Sequence, residues 1–394
     1  MATEDTQSTF DNVDWDSETS STALISKTGI IEIFAFLGLL GSYLYDYYII
    51  QNEYPTIGQW DVTSVEWMFL GVLILMVFNG ILPLYRNQRM TKYYWRQFKK
   101  NKAAVVSLGF LIIIFTTGII GPMVLGPPQL RFDAQYMPPV GFTASPQGET
   151  VTGTWAHPLG TNAAGEDLLK LIIFGMRVSM EVGLISMVIA TTIGTLVGTT
   201  AAFATSQNWG MIDEALMRYV DLQSVFPVFI LLLLLVYLFG GQLYMIILLY
   251  GFFGWEGIAR LVRGEALQRS EEEFVKASRA AGANTGWIIR RHLVPNVSNT
   301  VITVASLSIP AYILGEAALS FLGFSDPTIY SWGQIIANGR GSLSSAPWIS
   351  TIPGFFLFFT VLAFNFVGDA ANDALDPRRE KGGGAQGGGH QGGP

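Results

Sequence analysis

Eight apolar stretches divide this chain, at about 29–50, 65–85, 103–125, 178–204, 222–240, 242–259, 297–323 and 350–369. Each approaches the ~20 residues that a helix needs to cross the hydrocarbon core of a bilayer. They are apolar on all sides instead of alternating, and a barrel strand needs only ~10 residues, so they predict helices and not strands. The expected fold class is all-α, a polytopic membrane protein with about eight transmembrane helices. Half of the 394 residues are hydrophobic and only 13% are charged, too few to cover a globule of this size in water, which excludes a soluble cytosolic enzyme. Cys is absent, which removes disulfides, thiolate nucleophiles and Cys-ligated metals together. His157, His292 and His390 are too far apart in sequence for a histidine-rich metal cage, so no metal is expected. A net charge of -7 argues against a nucleic-acid partner.

Sidedness follows from the bases, because Lys and Arg in short flanking loops stay cytoplasmic. Arg86–Lys102 carries Arg86, Arg89, Lys92, Arg96, Lys99, Lys100 and Lys102 and no acid, and is assigned to the cytoplasm. Alternation then puts Lys27, Arg218, the bases between Arg260 and Arg291, and Arg378, Arg379 and Lys381 inside as well. Only Arg131, Lys170, Arg177 and Arg340 fall outside. Both termini are expected to be cytoplasmic. Residues 1–28 hold six acids and one base, so they lack the positive start of a signal peptide and read as an acidic cytoplasmic tail. Residues 126–177, with Gly126-Pro127-Pro128, Pro138-Pro139 and Pro146, form the largest external segment. Residues 382–394 are Gly-rich, have nothing to bury, and read as a flexible appendage.

The most informative loop is the cytoplasmic segment 260–295. Ser270 with Glu273 fits a capping box, and Glu271, Glu272 and Glu273 crowd a first turn where carboxylates are favoured, so a helix is expected over Glu271–Ala281. Phe274, Ala277, Ser278 and Ala281 share one face, an aromatic knob among small residues, and Gly282 supplies a left-handed stop. Asn284 or Thr285 would cap a second segment, Gly286–Val294, ended by Pro295. Two readings stay open on physics alone: an amphipathic helix lying on lipid headgroups, or a rigid element on which another protein docks.

The run Lys276-Ala277-Ser278, then Gly282, then Pro295 resembles the EAA motif of the membrane subunits of ATP-binding-cassette (ABC) importers, with Lys276 and Ser278 replacing the motif's glutamate and second alanine. His157-Pro158-Leu159-Gly160-Thr161-Asn162 with Gly165 and Asp167, then Gly175, Arg177 and Ser179, is similar to the external entrance segment of C-type permeases of dipeptide, oligopeptide and nickel importers. Leu319-Ser320-Phe321-Leu322-Gly323, Ser331-Trp332-Gly333, Pro347-Trp348, Gly368-Asp369 and Leu375-Asp376-Pro377-Arg378 follow in the same order as in that subunit type. The resemblance implies a six-helix permease core at 93–381, preceded by an extra transmembrane hairpin at 29–92 that the usual member lacks. It implies a heterodimer with a B-type permease, two ATPase subunits that bind ATP and Mg, and an extracellular or periplasmic solute-binding protein, all at the plasma membrane of a prokaryote. The ATPase-coupling residues would be Glu272, Glu273, Phe274, Ala277, Ser278, Arg279, Gly282 and Pro295. Those of the entrance segment would be Trp155, His157, Gly160, Thr161, Asp167 and Arg177. Asn162 and Glu166 stand where the family usually has Asp and Arg, which puts that salt bridge in question. The extra hairpin is expected to be a lipid-facing stabiliser, with a partner dock as the alternative.

Glu32, Asp46, Glu66, Glu181 and Glu316 fall in or beside spans, where an ionised group needs water or a partner. Glu316, after the kinking Pro310, is a candidate pathway residue or a partner of Arg177. These acids also support a rival function, an ion-coupled secondary transporter. No G-x-x-x-x-G-K-[ST] phosphate loop occurs, so ATP is not expected to bind here and the chain itself needs no cofactor. His157 and His292 are assigned a bilayer apart, which argues against an intramembrane Ser–His hydrolase. A non-catalytic transport subunit is the expectation.

Overall fold

The computed structural model describes residues 27–50, 62–146, 148, 150–207 and 209–375. The acidic N-terminal tail and the Gly-rich tail, both expected from composition, lie outside the described residues, as does the link between the first two spans.

Among the described residues, fifteen helices carry the fold: α1 (Lys27–Tyr45), α2 (Ser64–Met76), α3 (Leu82–Arg86), α4 (Gln88–Phe98), α5 (Lys102–Leu125), α6 (Leu168–Ser206), α7 (Gly210–Val225), α8 (Val228–Phe239), α9 (Leu243–Phe253), α10 (Glu256–Ser270), α11 (Glu273–Ala280), α12 (Thr285–Ile288), α13 (Val294–Phe321), α14 (Trp332–Gly339) and α15 (Trp348–Leu375). A two-stranded antiparallel ribbon, β1 (Thr143–Ala144) with β2 (Val151–Thr152), lies between α5 and α6. A π turn over Val77–Ile81 joins α2 to α3, and another over Ile289–Leu293 joins α12 to α13, making single rods of Ser64–Arg86 and Thr285–Phe321. Seven rods are long and apolar enough to cross a membrane among the described residues, and the bent pair α7–α8 would be an eighth.

That pair corrects one expectation. A straight span was expected at 222–240, yet α7 and α8 meet at 78°. Pro227 is the cause: its ring disfavours helical backbone at the preceding residue, and Phe226 is extended with ψ 131. The fourth span also begins ten residues earlier than expected, at Leu168. Lys170 and Arg177 therefore lie in a helix and not in an external loop.

The 39-residue α6 is the axis of the molecule. At 1.5 Å per residue it measures ~58 Å, well beyond a ~30 Å hydrocarbon core, so it projects at both ends. Its first turns pack under the loop-rich cap formed by 126–167, α14 and the start of α15. Its last turns reach the α10–α13 end, where Phe203 joins Val275, Ile288 and Leu293 in a buried cluster. Between those ends α6 packs against α5, α9, α10 and α13. Close backbone approach needs glycine here: a Cβ on Gly198 would stand 2.6 Å from the Ala259 carbonyl oxygen of α10. Outward faces are lined with exposed Ile112, Ile113, Ile230, Phe355 and Phe358, as lipid contact requires.

The N-terminal hairpin docks on this core through α2, whose Val65, Phe69 and Val72 enter the main buried cluster, while α1 rests on α2 through a half-buried face that includes Phe36, Leu39 and Tyr43 and exposes its other side. Thr63 and Glu66 form a capping box at the start of α2. One Glu66 oxygen accepts from the Thr63 amide at 2.6 Å, and the other pairs with Arg177 of α6. Asp46 accepts from the Trp67 indole at 3.1 Å and Glu32 from Asn79 at 2.8 Å, so each described acid of the hairpin has a partner.

Candidate coupling surface and entrance cap

At one end of α6 the helical chain breaks between α10 and α11. Arg269 holds the break together: it binds Glu265 within α10 at 2.8 Å and reaches Glu272, the cap residue of α11, at 2.9 Å. The expected Ser270–Glu273 capping box does not form. Ser270 is buried at the end of α10, its hydroxyl donates to the Leu267 carbonyl, and Glu272 takes the cap position without a side-chain bond. The second helix is therefore Glu273–Ala280, shorter than Glu271–Ala281. Gly282 adopts φ +85, and the Ala283 amide returns to the Ser278 carbonyl at 3.1 Å, closing the helix as its glycine implied.

α11 is anchored by Val275, which is fully buried against Phe203 of α6 and Leu293 at the foot of α13. Sequence periodicity selected the neighbouring Phe274 face and gave no sign of Val275. Phe274 packs against His292 with the rings tilted by 59° and their centres 5.5 Å apart, Ser278 lies 3.0 Å from the His292 Nε2, and the Arg279 guanidinium sits 5.5 Å over the Phe203 ring. Ala277, Ala281 and Gly282 remain exposed, so the small-residue side of α11 is open. Asn284 caps α12 by accepting from the Trp287 amide at 2.8 Å. Pro295 does not end a segment as expected. The missing amide hydrogen of Pro295 is absorbed by the π turn Ile289–Leu293, and the rod continues unbroken to Phe321. A second clamp, missed in sequence, ties α7 to α10: Arg263 holds both Asp213 oxygens, at 2.7 and 2.5 Å.

At the opposite end, four expected entrance residues form one knot. His157 Nδ1 lies 2.8 Å from Asp167, whose other oxygen accepts the Lys170 amide and starts α6. The Thr161 hydroxyl donates to the Ala134 carbonyl and accepts from the Met137 amide, while its own carbonyl accepts from the Trp348 indole at 3.2 Å. Gly160 has φ +83, and a Cβ there would lie 2.5 Å from the Met137 carbonyl oxygen. Trp155 stands apart, 81% exposed. Arg177 is not part of this knot: it is buried ten residues into α6 against Glu66. The Arg177–Glu316 pairing considered from sequence does not occur. Glu316 is buried in α13 six residues after Pro310 and accepts from Ser320. Where the family's Asp–Arg salt bridge was in question, Asn162 donates to Glu166 at 2.7 Å, and its own Oδ1 accepts the Ala164 and Glu166 amides. A cavity of about 180 Å³ opens beside this loop, lined by Glu166, Thr328, Tyr330, Gln334 and Asn338. Burial, and then the Glu166 carboxylate, push the Tyr330 hydroxyl pKa upward.

Asp167 both caps α6 and holds His157. Asp167→Ala should cost about 1–2 kcal/mol, a lost N-cap plus a lost hydrogen bond. Thermal unfolding in detergent checks this; a midpoint equal to wild type would deny the knot its role.

The family description "binding-protein-dependent transport system inner membrane component" matches residues 190–381, and "N-terminal TM domain of oligopeptide transport permease C" matches residues 89–139. The oligopeptide transport system permease protein OppC of Haemophilus influenzae is 38% identical over 72% of this chain and 87% of its own. OppC of Escherichia coli is 35% identical over 72% and 89%. The dipeptide transport system permease protein DppC of Bacillus subtilis is 34% identical over 73% and 86%. A solved structure of the MetNI methionine ABC transporter in an inward-facing conformation aligns over 53% of this chain and 98% of that chain, at 20% identity and a TM-score of 0.45. Spans, cap and matched sequence together define a membrane component of a binding-protein-dependent transport system. Within that class, the chain belongs to the family of C-type oligopeptide and dipeptide transport permeases. The hairpin Lys27–Arg86 precedes both matched regions.

Proposed function

We propose that this chain forms half of the translocation pathway of an ATP-driven importer for peptides or similar small solutes, and that α11 takes up the work of ATPase subunits. One observation carries the coupling reading: α11, with its small-residue side open, is packed through Val275 onto both the end of α6 and the foot of a continuous 37-residue rod. A push on α11 is thus delivered to two membrane-crossing helices at once, with no loop in between to absorb it. The names and identities of the relatives support a peptide cargo. A B-type permease completes the pathway, two ATPase subunits hold ATP and Mg at the α11 end, and a solute-binding protein docks on the cap, where the segment carrying Trp155, His157 and Asp167 orients it or gates the cavity. The chain itself performs no bond chemistry. Both termini and α11 are cytoplasmic, and the cap faces outside.

Reconstitution with the partner permease and ATPases tests this. Uptake should require ATP, stop with vanadate and persist with an uncoupler. Uptake that needs no ATPase and collapses with the uncoupler would establish the ion-coupled alternative instead. Sidedness is read separately on the Cys-free chain: in sealed cells, an impermeant thiol reagent should label Ser344→Cys and spare Gly282→Cys.

A further inference from the structure

We propose that α4 is a docking strip for the headgroups of anionic phospholipids. Arg89, Lys92, Arg96 and Lys99 recur at spacings of three, four and three, which places them on one face of the helix, and all four are exposed. The opposite face, Thr91, Tyr94 and Phe98, is half-buried, and the helix packs against α15. The strip therefore points away from the protein. Its position follows from the chain: one membrane rod ends at Arg86 and another begins at Lys102, so α4 lies between two bilayer-crossing helices, level with the headgroups.

Among the described residues, no acid compensates the charges of this strip. Arg86–Lys102 contains no acid, and among the described residues no carboxylate lies within ion-pair distance of Arg89, Lys92, Arg96, Lys99 or Lys100. Several bases elsewhere on the same end do meet acids: Arg260 pairs with Asp221, Arg263 with Asp213, Arg269 with Glu265 and Glu272, and Lys276 with Glu271 and Glu273. Four like charges at helical-neighbour spacing repel one another unless anions lie between them. Trp95 flanks the strip, 42% exposed, stacked on Phe98, with the Lys99 ammonium 5.1 Å from the centre of its ring. A basic stripe with an indole at its edge is the arrangement of a helix seated among phosphodiesters and upper acyl chains. Residues 1–26 are a competing anion source within the chain, since they carry Glu4, Asp5, Asp11, Asp14, Asp16 and Glu18.

Full-length protein in a neutral detergent is titrated with phosphatidylglycerol or phosphatidylcholine, and the thermal midpoint is followed. Phosphatidylglycerol should raise the midpoint saturably and phosphatidylcholine should not, and the gain should disappear in about 1 M salt, where screening is nearly complete. Each neutralisation should raise the half-saturating phosphatidylglycerol concentration about fivefold, and Arg89→Gln/Lys92→Gln/Arg96→Gln on the order of 100-fold. The single variants Lys92→Gln and Arg96→Gln keep the test open if the triple variant does not fold. Equal half-saturation in wild type and single variants would overturn the proposal, as would an equal gain from soluble glycerophosphate. If phosphatidylglycerol acts only after the six tail acids are changed to amides, the tail is the occupant and the proposal fails.

Discussion

Glu66→Ala should destabilise this protein by about 3–5 kcal/mol, the cost of leaving one member of a buried ion pair without the other. The side chains of Arg177 and Glu66 are 8% and 7% exposed, so water cannot replace the lost carboxylate. The surroundings offer little relief. Phe174, one turn before Arg177, presents its ring 5.9 Å from the guanidinium, and the one nearby acid on α6, Glu181 one turn after, is buried and would have to carry the whole counter-charge without solvent. Glu66 also accepts the Thr63 amide, so the alanine variant removes a helix cap in the same step. Arg177→Met should be comparably damaging because it strands Glu66. The double variant Glu66→Met/Arg177→Met, with no charge left of the pair, should be less damaging than the two single changes added together, since apolar replacement of a whole buried pair is often tolerated. Thermal or denaturant unfolding of the four proteins in detergent gives the coupling. Glu66→Ala within 1 kcal/mol of wild type would mean that the hairpin does not neutralise the core. The functional point is that a hairpin outside the matched family regions supplies the counter-charge for a residue inside the permease core.

That pair also marks where reading the sequence stops. Spans, cap residues and helix ends are written locally, so the apolar runs and the left-handed Gly282 are legible, and the cap of α12 is narrowed to Asn284 or Thr285, of which the structure uses Asn284. Partner choice is not local. Glu66 and Arg177 are 111 residues apart, and Arg177 looked like an external loop base because the apolar run was taken to start at 178, ten residues after the helix begins. Val275 was hidden for a related reason: on an eight-residue helix both Phe274 and Val275 define plausible faces, and only the position of Phe203, brought in by α6, decides between them. Ser270 shows local signals competing. Its spacing to Glu273 suits a capping box, but α10 runs on through Ser270, and Arg269 holds Glu272 in the cap position instead. Pro227 had the opposite fate: the apolar run through it was read as one span, although a proline's effect on its predecessor is a local rule that would have placed the bend.

Gly282→Leu should abolish transport, by at least about 100-fold, while the protein still inserts and folds; a few kcal/mol of lost coupling is enough for such a factor. The structure separates two costs that a leucine here could bring. Nothing lies within 4 Å of a Cβ built on Gly282, so the new side chain meets no wall of its own chain. The backbone at φ +85 does resist it, at about 1–2 kcal/mol, a modest load on a segment also held by Val275, Arg269 and the Ala283 amide. What remains is the effect on whatever approaches the open side of α11 formed by Ala277, Ala281 and Gly282, where an isobutyl group would keep a partner's backbone at a distance. Gly282→Asn divides the two causes, because asparagine tolerates the left-handed backbone at low cost and adds a smaller, polar side chain. If strain alone mattered, Asn would restore nearly full transport. If bulk at the docking side mattered, Asn should recover only part of it, and ATPase subunits should co-purify less with both variants, least with Leu. Wild-type uptake by Gly282→Leu would remove α11 from the coupling path, leaving the Arg263–Asp213 clamp between α7 and α10 as the next route by which that end of the molecule could move the spans.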